Sequence, residues 1–233
     1  MKRLAIFVEG QTEQIFVRRL LEEIAGRNNI AIAEQDISGK KSSRITVLTM
    51  SDRTTPQTKY YVLLHNSHGD SSVASDINDQ YSNLVAAGYK KIIGLRDLYP
   101  ISITDKSKLE RGLQYALPKG QIPAHIVLAV MEVEAWFLAE WNHFLKVDAR
   151  LTTDFIRDSL GFDPAIDDME LRSHPAEDLY QIYQLIGRAY RKQKNQVDTV
   201  VTNLDYEFLY LKLVNHVPSL GEFIRYIDEF MAS

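Results

Sequence analysis

A chain of 233 residues that is 45% hydrophobic can bury a substantial core, as one large domain or as a domain with an appendage. It contains no cysteine, which excludes disulfides and thiolate metal sites and makes a reducing cytoplasm the expected setting. A formal net charge of −4 argues against a non-specific nucleic-acid coat, which is usually basic, but not against a metal-dependent nuclease whose acidic site lowers the total.

In chain order, the uncharged run Leu4-Ala5-Ile6-Phe7-Val8 predicts a buried strand that ends at Glu9-Gly10-Gln11-Thr12-Glu13. It is too short for a signal-peptide core, and no segment approaches the roughly 18 apolar residues of a membrane span. A soluble cytoplasmic protein is therefore expected. A helix follows, with Phe16, Leu20 and Ile24 on one face, Thr12 as its expected N-cap and Glu13 at its positive end. Residues 30–37 and 44–50 predict two strands of a hairpin or an excursion from the main sheet, joined through the turn-forming stretch 38–43.

Tyr60 to Leu64 predicts another buried strand. A helix capped by Ser71 or Ser72 comes next, with Val73, Ile77, Tyr81 and Leu84 on one face and Gly88 closing it. Lys91 to Leu95 predicts a strand that breaks at Arg96-Asp97, and residues 105–117 a helix with Leu109, Leu113 and Leu117 in register. After the linker Pro118 to Pro123, Ile126 to Val130 forms a strand that runs into Met131-Glu132-Val133-Glu134-Ala135-Trp136. This alternation implies an α/β fold: a mostly parallel sheet with helices on both faces over residues 1–142. Residues 143–233 form a helical C-terminal part, with helices expected over 175–194, 203–214 and 219–231 and a capping box at Ser219 and Glu222.

Glu9, Asp70, Asp97 and the pair Glu132/Glu134 all fall at strand ends. If the strands are parallel neighbours, these carboxylates converge at the sheet edge where open α/β sheets bind ligands. Clustered carboxylates repel unless a cation compensates them, and an oxygen-only set suits Mg²⁺ or Mn²⁺ better than zinc. Each also has a structural alternative: a solvated turn for Glu9, a turn or cap for Asp70, a pairing or loop cap for Asp97. Glu132 and Glu134 either share a strand face, or Glu134 opens a helix as a first-turn acid. His65 and His68 are candidate ligands or bases, though loop histidines commonly do neither.

Arg188, Arg191, Lys192 and Lys194, expected at a helix end, are candidate contacts to a nucleic-acid backbone, as is Arg96; the bland alternative is a solvated basic face. Lys40, Lys41 and Arg44 beside the hairpin are similar. Trp136, Trp141, Tyr180, Tyr183 and Tyr190 are expected to pack in the core rather than stack on bases. No Walker-type glycine-rich loop is present, so the chain is not expected to be an ATPase itself.

The Val8-Glu9-Gly10-Gln11-Thr12-Glu13 start, the Leu95-Arg96-Asp97 strand end and the Glu132-Val133-Glu134-Ala135-Trp136 segment together resemble TOPRIM-like bacterial proteins related to the OLD-type nucleases and RloB. The resemblance covers roughly the first 140 residues. It implies a TOPRIM fold with Glu9 and Asp97 around a divalent metal, Glu9 serving as ligand or general acid/base. The second aspartate of that family's Asp-x-Asp pair falls at Tyr99, so Glu132, Glu134 or Asp70 is expected to supply the missing ligand. It further implies a phage-defence or mobile-element role and an ATPase encoded alongside.

Three functions follow as expectations. The first is a Mg²⁺- or Mn²⁺-dependent nuclease of TOPRIM type cleaving DNA or RNA. The alternative is a non-catalytic TOPRIM-like module that binds an ATPase through its helical part, which Tyr99 and the acidic balance favour. The third is phosphohydrolase or nucleotidyl-transfer chemistry on small nucleotides at the same metal site.

Overall fold

The computed structural model describes residues 1–38, 45–69 and 72–232. The expected hairpin turn with Lys40, Lys41 and Arg44, the Ser71 cap and the candidate ligand Asp70 lie outside the described residues. By internal contacts the chain divides into two units: Met1–Arg96 with Asp105–Leu128 and Arg225–Ser233, and Asp97–Thr104 with Ala129–Ile224.

The first unit is built on alternating strands and helices: β1 (Lys2–Val8), α1 (Gln11–Ala25), β2 (Ile30–Ser38), β3 (Ile45–Ser51), β4 (Tyr60–Asn66), α2 (Ser72–Ala86), β5 (Lys91–Asp97), α3 (Lys106–Ala116) and β6 (Ala124–Ala129). The strands form one six-stranded sheet in the order β3-β2-β4-β1-β5-β6. β1 runs parallel to β4 and β5, and β2 parallel to β4; β3 pairs antiparallel with β2. Val8 lies opposite both Asn66 and Leu95, so the central strands end at one edge.

Ala5 and Phe7 of β1 pack with Val73, Ile77 and Leu84 of α2. The alternate residues Leu4, Ile6 and Val8 are equally buried, and α1 packs on β1, β2 and β4. Both faces of the central sheet are therefore covered, which is why its strands read as continuous apolar runs. The N-cap of α1 lies two residues before Thr12: it is Gly10, whose carbonyl accepts the Gln14 N–H at 3.1 Å, while Thr12 is buried in the first turn.

The second unit is helical: α4 (Glu134–Ala139), α5 (Asn142–Val147), α6 (Thr153–Leu160), α7 (Pro175–Gln184), α8 (Lys194–Asn203), α9 (Tyr206–Leu211), the first part of α10 (Pro218–Ala232), and 3₁₀ turns at Met169–Leu171 and Leu213–Asn215. The continuous helix expected over 175–194 does not form. Gly187 at φ 74° ends α7, with Gly187 N–H on Gln184 O at 3.0 Å and Arg188 N–H on Tyr183 O at 2.9 Å, a Schellman motif. Arg188, Arg191 and Lys192 thus sit in the α7–α8 loop rather than at a helix end, and Lys194 opens α8.

The expected helix over 203–214 is likewise split, with Asp205 capping α9 by accepting the Phe208 N–H at 3.0 Å. Ser219 does not open a capping box. It lies inside α10, its N–H and hydroxyl both reach Glu170 Oε1, and its oxygen accepts the Trp136 indole N–H at 2.7 Å. Among the described residues no helix is long and apolar enough to cross a membrane.

Candidate metal centre

Asp97 is the last residue of β5, and the chain beyond it runs beside the end of β6: Leu98 N–H donates to Ala129 O at 2.9 Å and Tyr99 N–H to Met131 O at 2.8 Å. At Met131 the backbone turns sharply, with φ 59° and the Glu132 N–H closing on Val130 O at 3.0 Å. This γ-turn with a left-handed, non-glycine centre is a strained conformation, of order 1–3 kcal/mol, of the kind that collects at functional sites. It swings Glu132 and Glu134 back toward Asp97. The Val133 N–H between them donates to Asp97 Oδ1 at 2.9 Å.

Asp97, Glu132 and Glu134 consequently each offer a carboxylate oxygen, all within 4.8 Å of one another, an arrangement that can hold a metal ion. Of the two alternatives for the pair, the helical one holds: Glu134 is the first residue of α4. It is nevertheless fully buried.

The surrounding residues partly compensate the charge. Lys192 Nζ lies 3.0 Å from Glu132 Oε1 and 3.0 Å from Glu134 Oε2. The Tyr190 hydroxyl donates to Glu134 Oε1 at 2.8 Å, and the Ala176 N–H in the first turn of α7 donates to Glu132 Oε2 at 2.9 Å. Burial pushes the Glu134 carboxyl above its ordinary range; the Lys192 charge pulls it back, the neighbouring Glu132 adds to the rise, and the Tyr190 and Lys192 hydrogen bonds oppose it. Beside the cluster lies a cavity of about 410 Å³ lined by Ala176, Glu177, Tyr180, Tyr190, Arg191 and Lys192.

Among the described residues the group of converging acids takes in none of the other candidates. Glu9 follows β1 directly, half-buried in the first unit, its carbonyl accepting the Gly69 N–H at 2.9 Å. Arg96 is buried within β5, whereas Arg188 and Arg191 are exposed. Tyr99, standing where the second aspartate would, is 43% exposed and meets the His174 ring edge-on at 5.5 Å.

His65 is buried against Phe7, with Nε2 3.5 Å from Asp76, and His68 Nε2 is 3.4 Å from Asp36. Trp136, Tyr183 and Tyr190 are buried, as expected of core residues, while Trp141 is half-buried and Tyr180 lines the cavity. The sequence offered no signal for the roles of Tyr190 and Lys192 at the glutamates, because a loop carries no periodicity that relates it to a distant strand end.

Comparison with curated proteins and with solved structures returns no match. A family profile matches residues 8–207, which takes in Asp97, both glutamates, Tyr190 and Lys192. The chain belongs to that family, described as Domain of unknown function (DUF4276).

Proposed function

We propose that this chain is a divalent-metal-dependent enzyme of TOPRIM type that cleaves phosphodiester bonds in nucleic acid. The observation that carries the proposal is the convergence of Asp97, Glu132 and Glu134 within 4.8 Å. Lys192 sets one positive charge against two glutamates, so the pair keeps an excess of negative charge when both are ionised. The donors are all carboxylate oxygens, which fits a hard cation such as Mg²⁺ or Mn²⁺.

When bound, such an ion would polarise a phosphoryl oxygen and lower the pKa of a water. Asp97, Glu132 and Glu134 would hold it. The Val133 N–H fixes the Asp97 carboxylate, and the Ala176 N–H and Tyr190 hydroxyl fix the two glutamates, so the set is oriented before any ligand arrives. Lys192 supplies a cation beside the acids, suited to charge that develops on a phosphoryl group.

Calorimetric titration with Mn²⁺ and Mg²⁺ tests this directly, on the wild type, on Asp97→Asn and on the Glu9→Gln, Asp97→Asn double variant. Binding by the wild type, abolished by Asp97→Asn and accompanied by metal-dependent cleavage of DNA or RNA, is the expected result. A wild type that takes up neither ion would refute it.

A further inference from the structure

The cavity beside the acidic cluster shares three of its walls with the cluster's own partners. The Ala176 N–H holds Glu132, the Tyr190 hydroxyl holds Glu134, and the Lys192 ammonium holds both. Whatever occupies the cavity therefore lies against the residues that hold the glutamates. Ala176, Glu177 and Tyr180 come from one face of α7, and Tyr190, Arg191 and Lys192 from the loop that follows the Gly187 turn. That loop is pinned where it matters, since the Arg191 N–H donates to Gln196 Oε1 at 2.6 Å.

Three lining residues, Glu177, Tyr180 and Arg191, have no part in holding the glutamates. The Arg191 guanidinium lies 5.5 Å from the centre of the Tyr180 ring, and among the described residues it has no carboxylate partner. An arginine stacked on a ring keeps its N–H fork available for a planar or tetrahedral oxyanion, and that fork matches the geometry of phosphate and of carboxylate. A tyrosine ring beside it offers a face on which any nucleobase can stack. A volume of about 410 Å³ is within the usual range for a small-ligand site.

We infer that this cavity receives one unpaired nucleotide of a single-stranded nucleic acid, its base stacked against Tyr180 and its phosphate paired with Arg191. Bases within a duplex have both faces covered by their neighbours, so only an unpaired base can enter a side cavity of this kind. The inference rests on the phosphodiester reading above and narrows its substrate to single strands.

The test is fluorescence anisotropy with a short fluorescein-labelled single-stranded oligonucleotide and the same sequence as a duplex, in EDTA and in Mn²⁺. The proteins are the wild type, Tyr180→Leu, Arg191→Gln and the ring-retaining Tyr180→Trp. The wild type is expected to prefer the single strand. Tyr180→Leu and Arg191→Gln should each weaken that binding by about ten-fold or more, and Tyr180→Trp should restore it. Calorimetric Mn²⁺ binding by the same variants should equal that of the wild type, which separates loss of the subsite from loss of the acidic cluster.

Equal affinity for single strand and duplex, or binding indifferent to both Tyr180→Leu and Arg191→Gln, overturns the inference while leaving intact a metal site that still titrates. Oligonucleotide binding that depends on Tyr180 and Arg191 in a protein that takes up no Mn²⁺ keeps the subsite and removes the metal reading.

Discussion

The ammonium of Lys192 lies 3.0 Å from Oε2 of Glu134, a carboxylate with no solvent exposure, and the same ammonium is 3.0 Å from Glu132. A lysine thus supplies both glutamates with a positive partner. A buried carboxylate of this kind is tolerated only with such a partner, because leaving it uncompensated costs several kcal/mol.

Removing that charge should have opposite effects on the two states of the protein. Lys192→Met is expected to lower the melting temperature in the presence of a chelator, since Glu134 loses its cation. It should also tighten Mn²⁺ binding by about ten-fold, because the metal no longer meets a positive neighbour. Lys192→Arg should stay near the wild type in both. Calorimetry and thermal melts with and without Mn²⁺ read the two effects; weaker metal binding by Lys192→Met would mean that the lysine organises the ligands instead.

Metal uptake should also fall on acidification, earlier than ordinary carboxylates would require. The Glu134 carboxyl is pushed up, chiefly by burial, and only its ionised form is a good ligand. Because the Tyr190 hydrogen bond counteracts that rise, Tyr190→Phe should move the midpoint of metal binding to higher pH. A pH series of Mn²⁺ titrations on both proteins checks the direction of the shift.

A separate pH effect belongs to the first unit. Burial, with the Lys91 charge next, holds the His125 pKa below its ordinary 6.5, the Glu229 carboxylate opposing and Arg225 assisting. His125 also stacks on Tyr226, ring centres 4.1 Å apart. The unfolded chain therefore takes up this proton more readily than the folded one. The stability contributed by neutral His125 is complete above about 6.5 and is lost as pH falls toward the depressed folded value. His125→Phe, which retains a stacking ring, should flatten the decline in urea midpoint between about pH 7.5 and about pH 5.5. An unchanged slope would assign that decline to other groups.

Glutamates in the second unit also tie its helices together. Glu132 accepts the Ala176 N–H at the start of α7, and Glu170 the Ser219 N–H at the start of α10. Glu140, fully buried, accepts from Asn142 and from Asp205, the residue before α9, at 3.1 and 2.9 Å. Glu140→Ala leaves both donors without a partner and should cost about 3 kcal/mol, or a melting temperature lower by about 10 °C. A drop of only a degree or two would show that water takes over both bonds.

Local chemistry made much of the first unit legible. The run Leu4 to Val8, the strands at Tyr60 and Lys91 and the α2 face of Val73, Ile77 and Leu84 follow from periods of 2 and 3.6 and from burial on both faces of a sheet. The break at Gly187 and the role of Ser219 were not legible. A single glycine in a long polar–apolar pattern reads as tolerated, and the partner that engages Ser219 is Glu170, distant in sequence.

The sequence by itself determined that carboxylates stand at strand ends and that the available donors are oxygens, because strand ends and residue types are local properties. Only the tertiary structure decided which of them meet. The γ-turn at Met131 brings Glu132 and Glu134 to Asp97, and the loop after α7 delivers Tyr190 and Lys192 to the same carboxylates. Convergence of this kind depends on strand order and on contacts between segments far apart in the chain, which no local pattern of residues encodes.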